Sequence, residues 1–262
     1  MKIIGWDDFL QGIVSDIGDS AATIGVFDGV HMGHQKLIEE IIGKKPPLQT
    51  VIFTFRENPG LVLNENRFQG RIMSLESRLA IFEDLGVEST VLIDFSSDFS
   101  KLSGIEFLKK IIKNICLRYL AVGKNFTCGY RADTDSGSIR SALSRQGIEV
   151  AILDPVTFEN YPVSSTRIRE SILQGDLIKA ASMLGRNFSL EIPVDVQRKS
   201  KNGMTVSRKE IRQILPKPGV YPVVLENREK SIQSTIEIDE NGLSWQQDEM
   251  YRTDRIVFAG KS

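Results

Sequence analysis

The sequence predicts an α/β fold, a parallel sheet covered by helices on both faces, followed by a small β domain. Three observations predict it. Over roughly the first 185 residues, short β-rich runs alternate with helical ones, as crossover helices between parallel strands require. Several of those β-rich runs are continuously apolar, the mark of strands buried on both faces. Beyond residue 185 the helical runs stop, and β-rich segments are separated by Pro, Gly, Asn and charged turns. We therefore expect domains at residues 1–185 and 186–262. A chain of 262 residues is long enough for one or two such domains, each with its own core.

Taken in order, strands are expected at 23–27, 51–55, 91–95, 119–123 and 149–153. A helix over 34–43 sets Leu37, Ile38, Ile41 and Ile42 on one face. Another over 103–117 opens with Ser103 and Glu106 in capping-box spacing. Further on, FSLEIPVDVQ, GVYPVVLE, SIQSTIEID and RIVFAG read as strands. Residues 198–217 hold seven bases and one acid, and residues 226–249 hold seven acids and two bases. Such alternation reads as solvated strand edges and loops, not as a nucleic-acid-binding tail.

Composition removes several function classes. The net charge of −1 gives no global pull toward nucleic acid or anionic membrane. No apolar run approaches the ~18 residues of a membrane span, and MKIIGWDDFLQGI has neither the apolar run nor the cleavage site of a signal peptide. The expected location is the cytoplasm. Cys116, expected in a helix, and Cys128, expected just after a strand, read as packing residues of a reduced compartment, with a disulfide as the minor alternative. Their spacing lacks the close Cys pair of a structural zinc site.

The segment Gly25-Val26-Phe27-Asp28-Gly29-Val30-His31-Met32-Gly33-His34 carries the most chemistry. It joins a strand to a helix, so unpaired backbone N–H groups and the positive end of a helix dipole face whatever binds there. Glycines at 25, 29 and 33 permit close approach of a phosphate. His31 and His34 are the only histidines in the chain. Two randomly placed residues fall three apart in roughly one case in a hundred, so the pair reads as two designed donors. Farther along, Ser164, Ser165 and Thr166 cluster at an expected helix start, and Arg169 follows as a bidentate phosphate donor. Alone, that cluster reads as a helix cap.

The form GxFDGVHxGH resembles the HxGH signature of the nucleotidylyltransferase superfamily, and in particular bacterial bifunctional FAD synthetases, which combine riboflavin kinase and FMN adenylyltransferase. Phe53-Thr54-Phe55 sits where that family has its second strand. Val122-Gly123-Lys124-Asn125-Phe126 resembles its VGxNF loop, and the run from Val163 to Arg169 its VSSTxIR motif. The resemblance implies a Rossmann-like nucleotidylyltransferase sheet, and a β-barrel-like domain after it. It implies transfer of AMP from ATP to FMN, giving FAD and pyrophosphate, with Mg²⁺ accompanying ATP. His31, His34 and Arg169 would be catalytic. Gly25, Phe27, Asp28, Gly29, Gly33, Asn125, Ser164, Ser165 and Thr166 would complete the nucleotide site, and Phe55, Asn125 and Phe126 would hold the flavin.

The chain also departs from the family pattern. Where members commonly read DPHP after the second strand, this chain has Arg56-Glu57-Asn58-Pro59. Arg56 could meet a phosphate or simply be exposed, and exposure is the favoured reading. Cys128 replaces a common aromatic, removing a stacking surface. No Pro-Thr dipeptide occurs, so the PTAN motif of the family's kinase domain has no counterpart, and Gly203-Met204-Thr205-Val206 is the nearest text. We expect an adenylyltransferase that has lost riboflavin kinase activity. The alternatives are a non-catalytic flavin- or nucleotide-binding protein and a nucleotidylyltransferase with another phosphorylated acceptor. Oligomeric state is not legible.

Overall fold

The computed structural model describes residues 1–13, 17–63, 68–200, 203–246 and 252–259. Two compact units emerge from the chain's contacts. The first comprises residues 1–68 and 75–157, and the second residues 69–74 and 158–262.

In the first unit the chain runs β1 (Lys2–Gly5), α1 (Trp6–Leu10), β2 (Asp19–Ile24), α2 (Met32–Ile42), β3 (Gln49–Phe55), α3 (Pro59–Leu63), α4 (Leu75–Asp84), β4 (Ser89–Ile93), α5 (Gly104–Asn114) and β5 (Cys116–Gly123). The two-residue pair β6 (Thr127–Cys128) and β7 (Thr134–Asp135), α6 (Ser136–Ser144) and β8 (Glu149–Leu153) come next. Six strands form a parallel sheet in the order β1-β4-β3-β2-β5-β8. The α/β expectation is borne out. From β2 the chain steps outward through β3 and β4, then returns to the other side of β2 with β5. That reversal is a topological switch point, and the crevice beyond its strand ends is where open α/β sheets bind ligands. A core of Ile24, Phe53, Val91, Phe107, Leu120 and Ile139 among others fills the unit.

Several boundaries differ from expectation, each for a local reason. The strand expected at 23–27 is β2 at Asp19–Ile24. The apolar text continues because Phe27, at φ 55, is a buried loop residue whose ring packs against Phe82. The strand expected at 91–95 is β4, two residues earlier. The helix expected over 103–117 ends at Asn114, because Cys116 and Leu117 already pair with Asp19 and Ser20 in the sheet. Cys116 is thus an exposed strand residue and not a packing one, and both cysteines are free thiols. α2 begins two residues early, at Met32, and buries Ile38 and Ile41 while Ile42 is exposed. The capping box of Ser103 and Glu106 is present, and β8 matches its expected bounds.

After the hairpin β9 (Thr157–Phe158) and β10 (Tyr161–Pro162), the second unit continues with α7 (Ser165–Leu173) and α8 (Leu177–Leu184). It is completed by β11 (Ser189–Glu191), β12 (Arg198–Ser200), β13 (Gly203–Ser207), β14 (Gly219–Glu226), β15 (Ser231–Ile238), β16 (Gly242–Trp245) and β17 (Arg255–Phe258). These seven strands form a curled antiparallel sheet in the order β11-β17-β14-β15-β16-β13-β12, the barrel-like fold expected. The run FSLEIPVDVQ yields only a three-residue strand before Pro193 opens a 3₁₀ turn. The basic segment contributes β12 and β13, which sequence patterning missed, and β12 is an exposed edge strand. Buried Gln213 donates to Ile72 O (2.9 Å) and Ser189 O (3.0 Å) and accepts from Glu191 N–H (2.8 Å).

Candidate active site

β2 and β5 are neighbours at the switch point, and their C-terminal ends lead into the two loops that the sequence singles out. After β2, Gly25 N–H still bonds Phe53 O (3.1 Å), and then the backbone turns sharply. Phe27, Gly29 and Val30 take positive φ values of 55, 87 and 36°. Glycine accepts this freely, but a β-branched residue such as Val30 does so at a cost that the surroundings must offset.

His31 is the N-cap of α2. Its Nδ1 accepts from His34 N–H (3.3 Å), and its carbonyl accepts from the same group at 2.7 Å. A ring nitrogen that accepts carries no proton, so the proton of the neutral ring sits on Nε2. The two imidazoles stack with centroids 3.6 Å apart and planes 17° from parallel. The rings of Phe27 and His34 meet edge to face, with centroids 5.0 Å apart. A Cβ on Gly33 would stand 3.2 Å from the His31 ring, so the bare glycine makes room for the stack. Asp28 and His31 are buried and His34 is half-buried. Phe27 is wholly buried, backbone and ring alike.

Beside this loop lies an apolar cleft of about 450 Å³. Phe55, Phe95, Phe99, Phe107 and Phe126 wall it, Gly25 and Val26 line it, and residues 129–132 complete it. The rings of Phe55, Phe95 and Phe99 meet pairwise at 5.8 Å. Cys128 lines the cleft too, and burial, followed by the negative charge of Asp133, pushes its thiol up to about 11. At neutral pH it is therefore a protonated, weakly polar wall atom. Asn125 is exposed in the turn after β5, whereas its neighbour Phe126 is on the wall. Arg56 is exposed and pairs with Asp94 (2.9 Å). An apolar slot sharing Gly25 and Val26 with the loop that enters a helix N-terminus suits a ligand with a flat apolar part and a phosphate.

Residues 14–167 match the family model of FAD synthetase. The chain belongs to the FAD synthetase family. The bifunctional riboflavin kinase/FMN adenylyltransferase of Buchnera aphidicola subsp. Schizaphis graminum is 30% identical over 85% of this chain and 73% of the relative. That of Listeria monocytogenes is 30% identical over 76% of this chain and 66% of the relative. The chain thus spans about two thirds of the length of these curated relatives. A crystal structure described as a macrolide-efflux protein from Streptococcus pneumoniae aligns with a TM-score of 0.81 at 26% identity, covering 98% of this chain and 89% of that one.

The family's Ser-Ser-Thr motif lies in the second unit. Ser164 is the N-cap of α7, its Oγ accepting from Arg167 N–H (3.3 Å), so the capping expectation holds for that hydroxyl. Ser165 and Thr166 occupy the first turn. Arg169 is half-buried, and its Nε donates to Gly70 O (3.0 Å), which orients the guanidinium. Arg167 donates to Tyr161 O and Pro162 O and so braces the hairpin before the helix.

Sequence reasoning missed two features of the first unit. Phe95, Phe99 and Phe107 are spread over an unremarkable stretch, although their aromatic density is a readable signal. Arg78 reads as one more helix charge, yet it is buried against the strand ends.

Proposed function

We propose that this chain is an FMN adenylyltransferase, transferring AMP from ATP to FMN to give FAD and pyrophosphate. One observation carries the reading. Gly25 and Val26 belong both to the strand exit that feeds His31 and His34 and to the lining of the apolar aromatic cleft. Nucleotide phosphates and a flat ring system would therefore meet at one strand end.

In this reading an FMN phosphate oxygen attacks the α-phosphorus of ATP, and the bond to the departing pyrophosphate breaks. No covalent enzyme intermediate is needed. His31 Nε2–H, His34 and the α2 N-terminus donate to phosphate oxygens, so catalysis is positioning and charge neutralisation. The reading assigns Ser165, Thr166 and Arg169 to the pyrophosphate. It assigns the flavin ring to Phe55 and Phe126, with Asn125 orienting a substrate polar group. Among the described residues no group of three His, Cys, Asp or Glu could hold a metal, and Mg²⁺ enters as part of the MgATP substrate.

The proposal keeps residues 1–185 as the adenylyltransferase portion, although α7 and α8 pack with the second unit. It also holds that residues 186–262 have lost riboflavin kinase activity, supported by the missing Pro-Thr dipeptide. The cytoplasm is the proposed setting. Among the described residues no helix is long and apolar enough to cross a membrane.

The test is chromatography of purified protein with MgATP, given FMN in one tube and riboflavin in another. FAD from FMN alone supports the whole reading. No FAD above a His31→Ala/His34→Ala control would sink it.

A further inference from the structure

Arg78 on α4 is only 6% exposed. Its Nη1 donates to Val26 O at 2.7 Å, and its Nη2 to Phe55 O at 2.5 Å and Arg56 O at 3.4 Å. Thr54 Oγ1 adds a second bond to Val26 O at 3.1 Å. One planar guanidinium fork thus ties together the chain exits of two adjacent strands, β2 and β3.

The placement matters because the backbone leaves its ordinary conformation directly after Val26. The next residue, Phe27, and then Val30 hold left-handed backbone, a conformation that persists only where its surroundings fix it. In a trans peptide the carbonyl and the amide across the bond point opposite ways. Holding Val26 C=O toward Arg78 and Thr54 therefore fixes Phe27 N–H in the reverse direction and prevents the peptide from flipping. Val26 and Phe55 both line the aromatic cleft, and Arg78 does not.

We propose that Arg78 is a positioning residue. From behind the cleft, through the carbonyls of Val26, Phe55 and Arg56, it locks the phosphate loop and the first aromatic of the cleft wall into one register. The inference rests on the FMN adenylyltransferase reading. Lysine cannot replace the fork, because one ammonium lacks the span to hold carbonyls on two strands together.

The experiment compares wild type, Arg78→Lys, Arg78→Ala and Thr54→Val by circular dichroism, FMN fluorescence quenching and steady-state FAD synthesis. Expected are a folded Arg78→Lys with kcat lowered about tenfold or more and KM raised for both substrates, since small misplacements near reacting groups are costly. Thr54→Val should lose less, in the same direction, and methylguanidinium should restore part of the Arg78→Ala activity. A folded Arg78→Lys with wild-type kcat and KM overturns the inference. If neither Arg78 variant folds, Thr54→Val decides: lowered kcat supports the inference and wild-type kinetics overturn it. If wild type makes no FAD, the functional reading fails, and FMN affinity then decides the inference, weakened binding in the variants supporting it and unchanged binding overturning it.

Discussion

His31 and His34 stack at 3.6 Å because the backbone N–H of one is capped by the ring nitrogen of the other. In the proposed function the cap and the phosphate donor are the same imidazole, used through opposite nitrogens. A substitution at His31 therefore has two separable effects. His31→Asn keeps a capping side chain and should leave the melting temperature near wild type, whereas His31→Ala should cost about 1 kcal/mol of stability. Both should lose about 100-fold or more in FAD synthesis, the scale of a deleted phosphoryl or oxyanion donor. Thermal denaturation beside a rate assay separates the effects.

Gly33 offers a test in which stability and activity move apart. Alanine is the better helix former by about 1 kcal/mol, yet its methyl would stand 3.2 Å from His31 Cε1. Gly33→Ala should stay folded and still lose activity as the His31 ring is displaced. Unchanged kcat would show that the stack is not needed.

The raised thiol of Cys128 predicts an alkaline signature. Its folded pKa lies at about 11 through burial first and Asp133 second, above the usual thiol value. Between about pH 8.5 and 11 the unfolded chain deprotonates while the folded one does not, so stability falls with rising pH across that window. This contribution is intact below the unfolded value and gone once pH passes the folded one. Denaturant titrations of wild type and Cys128→Ala should diverge only in that range.

Gln213 should prove costly to change. Gln213→Leu removes the side-chain partner of the Ser189 carbonyl and of the Glu191 N–H, and one bond to the Ile72 carbonyl. Each buried unpaired group costs about 1–3 kcal/mol, so urea unfolding should show a loss of several kcal/mol in the second unit.

Riboflavin with MgATP should yield no FMN. Appearance of FMN by chromatography would refute the proposed loss of kinase activity outright.

What the sequence made legible was local. The capping box at Ser103, the bounds of β8 and the two-histidine helix start depend on neighbours within a few residues, and the structure agrees. Strand ends were misread where a loop residue is buried, as at Phe27, because burial and not conformation sets apolar text. β1 was missed: it is four residues long, an edge strand beside β4. Phe55 and Phe126, named from the family resemblance, do line the cleft, but Phe95, Phe99 and Phe107 were missed, since these rings converge only in three dimensions. The bonds from Arg78 to the Val26 and Phe55 carbonyls gave no signal, because main-chain acceptors leave no mark in side-chain identity.

The excursion of residues 69–74 interlaces the two units along the chain. Ile214 N–H bonds Arg71 O at 2.9 Å, and Arg169 reaches Gly70 O, so this short piece is built into the second unit although it is encoded between α3 and α4. No single cut separates the halves. A gene truncated after residue 157 would leave residues 69–74 without the rest of their unit, so the second unit is not a detachable cassette. A lineage that abandoned the chemistry of its C-terminal half would be held to keep that half as scaffold.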